Sequence, residues 1–228
     1  MVVYFDDSII AVNKKAGISV QPGKNGTEAL TEILEPEYGK LFVVHRIDTP
    51  ASGLVLFART KAAAAALSSQ FSTHTIKKRY LVAANNCPKD GEGRLTDFIH
   101  VPSGNKANKV YIKSATDRNT KKSSLIYKEI FKTDKYHILE IFLETGRRHQ
   151  IRVQLAGAGC HIKGDVKYGA KRTNRGGGIH LHALSLEFNH PGDGRKIYLL
   201  ADLPDDPVWN SVQAETYTSA ADNSEKPD

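Results

Sequence analysis

The tightest constraint on the fold comes from residues 125–144, where LIYKEIF and YHILEIFLE are joined by the polar link KTDK. Runs this short, rich in β-branched and aromatic residues and split by turn formers, predict two strands closed into a hairpin. The same signature recurs along the chain. VVYF and SIIAVN flank Asp6-Asp7 as an N-terminal hairpin, and LFVV, GLVLFA and IKKRYLVAA read as strands further on. GIHLHALSLEF and RKIYLLADL read as the last two strands, and between residues 87 and 123 only KVYI carries a strand signal. Helices are few. One is expected from a Thr27 cap to about Leu34, ended by Pro36, and a second over KAAAAALSSQF, capped by Thr60, with Ala63, Leu67 and Phe71 on one face. The third is TGRRHQIRVQLAGAG, opening on Thr145-Gly146 and closing on glycines. Hairpin-linked strands with so few helices argue for an α+β chain with a mixed, mainly antiparallel sheet and flanking helices. A doubly wound fold is disfavoured, because the glycines of GAGCHIKG follow a helix and do not open one.

A chain of 228 residues can bury a substantial core, and residues 1–208 are expected to form one domain. No apolar run is long enough to span a bilayer, so no membrane association is expected. With two cysteines, Cys87 and Cys160, a disulfide framework is implausible; a reducing, cytoplasmic compartment is expected. The net charge of +7 is unevenly spread: residues 101–200 carry 19 Lys and Arg against 8 Asp and Glu. That surplus suits a polyanionic partner. Residues 209–228 are acidic and polar, and are expected to be a disordered tail.

Three constellations could carry chemistry. In HRIDTPASG, residues 45–53, a strand continuing from LFVV would put Arg46 and Asp48 on one face and His45 and Ile47 on the other. Asp48 is then either a turn-capping residue or a reactive carboxylate. In TGRRHQIR a helix N-terminus would attract anions, with Arg148 and Arg152 four apart on one face. A solvated basic face is the equal alternative. The loop from Lys163 to Arg175 places Lys163, Lys167, Lys171 and Arg172 around Tyr168, a set able to follow a phosphate backbone and stack on a base. His149, Cys160 and His161 match no zinc spacing, and no nucleophile elbow is present.

Together these segments resemble the RluA-type family of RNA pseudouridine synthases over most of residues 2–205. His45-Arg46-Ile47-Asp48 with Ser52-Gly53 is similar to the family's aspartate motif, and Lys78-Arg79-Tyr80 to its K-x-Y motif. Thr145–Arg152 resembles a third motif, followed in order by GDVKYG, LHA and HPGDG. Ala51 departs from the threonine frequent at its position.

The resemblance implies isomerisation of uridine in RNA, without metal, nucleotide or redox cofactor. Asp48 would be the catalytic carboxylate, attacking C1′ or C6 or abstracting a ribose proton. Arg152 would pair with it and favour its ionised form, and Tyr80 would stack on the base. Arg46 would hold the flipped-out state, and Arg147, Arg148, His149, Lys163, Lys167 and Leu181 would contact RNA. The partner implied is a ribosomal or transfer RNA stem-loop, bound by a monomeric, stand-alone catalytic domain lacking the S4 module of many relatives. The competing reading, a non-catalytic RNA-binding or ribosome-assembly module on the same fold, would not require Asp48, Tyr80 and Arg152 together.

Overall fold

The computed structural model describes residues 1–23, 27–102 and 109–212. The expected tail lies outside these residues from position 213 onward, while Trp209 and Val212 are buried against Leu81, Ile138 and Leu184. Among these residues eleven strands form one sheet: β1 Val2–Phe5, β2 Ile9–Lys14, β3 Phe42–Val43, β4 Ser52–Ala58, β5 Lys77–Ala84, β6 Glu92–His100, β7 Tyr111–Lys113, β8 Thr120–Lys132, β9 His137–Leu143, β10 Leu181–Asn189 and β11 Lys196–Leu200. Their spatial order is β1-β2-β4-β10-β5-β9-β8-β6-β7, with β3 beside β4 and β11 beside β10. The pairing is antiparallel except between β4 and β10, which run parallel. This is the mixed, mainly antiparallel α+β architecture that the hairpin pattern predicts.

Strand alternation decides which residues see which layer. On β2 and β4, Ile10, Val12, Val55 and Phe57 enter one core, whereas Ile9, Ala11, Leu54 and Leu56 enter another on the opposite face. Helix α2, Lys61–Ser72, covers the second face through Ala63 and Leu67, and Thr60 Oγ1 caps it by accepting from Ala63 N at 3.1 Å. Helices α1, Leu30–Tyr38, and α3, Gln150–Gly157, cover the first face. Tyr80 and Val82 of β5 face that same side. Each fully buried Leu, Ile or Phe contributes about 1.5–3 kcal/mol relative to exposure, so both layers hold the sheet.

Several local expectations are corrected. Helix α1 starts at Leu30, not after Thr27, because backbone acceptors in the segment Ser19–Val20 take the Leu30 and Thr31 N–H groups and Glu32 Oε2 takes Ala29 N at 2.7 Å. It runs past the exposed Pro36, whose missing donor falls in the closing turn, and stops at Gly39. The strand does not continue through HRID: β3 ends at Val43, and His45 Nε2 accepts from Leu56 N at 2.8 Å. Strand β6 is a correction of omission, since only Ile99 is fully buried in it and its apolar signal is weak; β8 likewise begins at Thr120, before the apolar run.

Helix α3 begins at Gln150, so Arg147 and Arg148 precede it. His149 is left-handed (φ 50°), and the Gln150 side chain stands where a first turn would be, accepting from Arg147 N at 3.0 Å. Arg148 and Arg152 therefore do not share a helical face.

Candidate active site

Between β3 and β4 the chain crosses the first face of the sheet as an irregular loop, and Asp48 sits on it. Several contacts fix this loop. Ile47 and Ala51 are anchored in the core on either side of Asp48, Gly17 N donates to Thr49 O at 2.8 Å and Ile179 N to Pro50 O at 2.9 Å. Lys14 is 1% exposed, and its Nζ donates to the carbonyls of Lys15, Thr49 and Ala51 at 2.9, 3.2 and 2.7 Å. Burial drives the Lys14 pKa down to about 8 against the attraction of Asp48. The sequence reading missed Lys14, since nothing local marks a lysine ending a strand as buried.

Ser52 and Gly53 explain their own identities. Gly53 has φ +109°, and a Cβ there would lie 2.2 Å from Ala183 O, so only glycine lets β4 pair with β10 at this point. Ser52 Oγ meets the buried His182 Nδ1 at 2.9 Å.

Arg152 rises from α3 to the same place and is 3% exposed. Its Nε and Nη2 donate to the two oxygens of Asp165, each at 2.7 Å, while Nη1 donates to Asp48 Oδ2 at 3.0 Å. The bidentate pair holds the guanidinium plane, leaving one N–H edge to orient Asp48. Burial opposes the Arg152 charge, but the bonds to Asp165 and the charges of both aspartates outweigh it and raise its pKa. Asp165 belongs to GDVKYG, a segment identifiable in the sequence, although its role as the anchor of Arg152 was not.

Tyr168 is not the expected base-stacking residue. It is buried beneath the Arg152 guanidinium, 4.9 Å from ring centroid to Cζ, and its hydroxyl accepts from Val110 N at 3.0 Å. The hydroxyl also meets His149 Nδ1 at 2.8 Å, and Nε2 of that ring lies 3.9 Å from Asp48 Oδ1. Burial is the main cause that depresses the His149 pKa to about 4, leaving a neutral imidazole beside the carboxylate.

Asp48, His149 and Arg152 line a cleft of about 1230 Å³, above the range of ordinary small-ligand pockets. Asp48, Tyr80, Arg152, His149, Leu181, Arg46, Arg147, Arg148 and Lys167 all reach it. Lys163 does not: its Nζ donates to Asn174 Oδ1 at 2.7 Å, because β5 and the segment after α3 turn its side chain toward Tyr136 instead. Tyr80 is buried in the middle of β5, between Ala183 and Ile141. Burial and the Asp48 charge raise its pKa, so it presents a neutral phenol.

A single mixed sheet with an acid–guanidinium pair in an arginine-rimmed cleft places the chain in the class of pseudouridine synthase folds. Two solved structures share it: human RNA pseudouridylate synthase domain containing 1 superposes with a TM-score of 0.78 at 22% identity, covering 100% of this chain and 96% of its own. Human RNA pseudouridylate synthase domain containing 4 gives 0.72 at 23% identity, covering 90% and 88%. Residues 8–157 match the model of the RNA pseudouridylate synthase family. The ribosomal large subunit pseudouridine synthase D of Zymomonas mobilis is 30% identical over 225 residues, 90% of this chain and 69% of that protein. The tRNA pseudouridine synthase C of Yersinia pestis is 30% identical over 236 residues, 94% and 90%. The chain belongs to the RNA pseudouridylate synthase family, and is an RNA pseudouridine synthase.

Proposed function

We propose that the protein converts selected uridines of ribosomal or transfer RNA to pseudouridine, with Asp48 as the reacting carboxylate. The observation that carries this reading is the contact of Arg152 Nη1 with Asp48 Oδ2 at 3.0 Å inside a cleft that also presents the Tyr80 ring. The names of two relatives, one for the large ribosomal subunit and one for tRNA, support this substrate class.

In the reaction the C1′–N1 bond of uridine breaks, the uracil turns while held, and a C5–C1′ bond forms. A proton leaves C5 and one is gained at N1, so the net change is isomerisation. Asp48 Oδ1 takes no hydrogen bond from Arg152, which leaves it as the oxygen that attacks C1′ or C6 or takes the ribose proton. Tyr80, as a neutral phenol, supports the base as a stacking surface. Arg46, exposed at the cleft, fills the gap left by the flipped nucleotide. Unstacking costs a few kcal/mol and least in loops, which favours a uridine in a hairpin loop.

The test is Asp48→Asn. Isomerisation of rRNA and tRNA should fall on the order of 10⁴-fold or more while RNA binding stays near wild type. Pseudouridine mapping in cells carrying the wild type, the variant or neither identifies the site; substantial turnover by the variant removes Asp48 from the mechanism.

A further inference from the structure

The cleft also holds a pair of cations whose situation is the reverse of that of Arg152. Lys78 on β5 is 7% exposed, and both it and Arg147 line the cleft. Among the described residues neither has a carboxylate partner, and Arg147 Nε is buried with no hydrogen-bond acceptor. Burial and the neighbouring Arg147 charge lower the Lys78 pKa. The adjacent His45 adds no negative charge: its Nε2 accepts from Leu56 N, its ring stacks on Phe71 at 4.6 Å, and burial and Lys78 hold its pKa down to about 3. The space over the ammonium is open because Gly146 stands there; a Cβ at that position would lie 3.3 Å from Lys78 Nζ.

Two buried or half-buried cations without a counter-ion are unfavourable in the free protein and become favourable when an anion enters. We infer that Lys78 and Arg147 form a subsite for a single phosphate of the RNA backbone, the one adjoining the uridine held on Asp48. The position relative to the uridine rests on the proposed function. Lysine supplies a point charge and arginine a directed N–H edge, a combination suited to one tetrahedral anion. Burial separates this pair from the solvated rim arginines. A phosphate reaching it must come from a strand inserted into the cleft.

The experiment measures fluorescence anisotropy of a labelled short oligouridylate with wild-type protein, Lys78→Met, Arg147→Met and the double variant across a potassium chloride series. Each single variant should bind several-fold more weakly. The double variant should lower the slope of log affinity against log salt by about 0.7, the contribution of one single-strand phosphate. Unchanged affinity and slope in the double variant overturn the subsite, and so does a loss of twice that slope, which would mean two separate phosphates. The melting temperature of Lys78→Met should equal or exceed that of wild type; a marked fall would make Lys78 structural and overturn the inference. Binding is the readout, so the two ideas fail separately. Wild-type protein that binds through this corner but leaves uridine unchanged refutes the proposed reaction alone, and normal isomerisation with an unaltered double-variant slope refutes the subsite alone.

Discussion

The two walls of the cleft carry cations of similar burial and opposite partnering. Arg152, 3% exposed, is bound by Asp165 on two N–H groups and by Asp48 on a third. Lys78, 7% exposed, has no carboxylate partner among the described residues and stands beside the Arg147 charge. A buried charge with its partners in place fixes geometry, and here it fixes the carboxylate. A buried charge without them raises the free energy of the empty protein and returns that energy on binding. The difference separates preorganisation for chemistry from affinity for substrate, and it implies that the two walls respond to mutation in opposite ways.

The largest effect on stability should come from breaking the partnered wall. Arg152→Leu leaves Asp165, 2% exposed, as a buried carboxylate without its cation. Removing one member of a buried pair costs about 3–5 kcal/mol, so denaturant unfolding should shift by that amount and isomerisation should be lost with it. The double variant Arg152→Leu/Asp165→Leu removes both charges and should regain most of the stability but none of the activity. If activity returned with stability, Arg152 would be a fold residue only. Lys78→Met is the opposite case, losing RNA affinity and no stability.

Acid tests both walls at once. His149 beside Arg152, His45 beside Lys78 and His182 on β10 have pKa values depressed by burial to about 4, about 3 and about 4. In the unfolded chain each takes a proton near pH 6.5, so below that pH the unfolded state binds more protons than the folded one. Their contribution to stability is complete above pH 6.5 and is lost as pH falls toward about 4, at roughly 1.4 kcal/mol per histidine per pH unit. Circular dichroism across this window, at fixed urea, should show a proton uptake that falls by one in His149→Gln. An acid transition with no net proton uptake would place these rings in solvent.

Much of this arrangement can be read in the sequence, and what cannot has a common cause. Hairpins such as β8–β9 follow from residue type and turn chemistry within a few positions, and so does α2 with its Thr60 cap. Features set by distant partners do not. The start of α3 is moved by Gln150, whose Nε2 reaches Ser124 O at 3.0 Å, and α1 is set by Ser19 and Val20. The burial of Lys14 depends on carbonyls in another loop. Tyr168 reads as an exposed aromatic among lysines until Arg152 and His149 close over it. The approach of Asp48 to Arg152, 104 residues apart, was expected only from the family resemblance. No local pattern encodes it.

The smallest effect sharpens the contrast from the solvent side. Arg148 is exposed in the turn before α3, not on the face that carries Arg152. Had the helix begun earlier, the two guanidiniums would stand one turn apart, and Arg148→Gln would stabilise the fold by relieving repulsion. From the turn, its loss should alter stability by less than about 0.5 kcal/mol. Its positive charge does contribute to lowering the His149 pKa, so that pKa should rise slightly in the variant, by NMR titration. RNA affinity should fall a few-fold, and the salt slope by about 0.7 for one rim phosphate. This loss should add to that of the Lys78→Met/Arg147→Met pair, because a rim phosphate and a cleft phosphate are different atoms of the strand. A slope in the triple variant no lower than in the double one would mean that Arg148 serves the same phosphate, and the division between a solvated rim and a buried subsite would disappear.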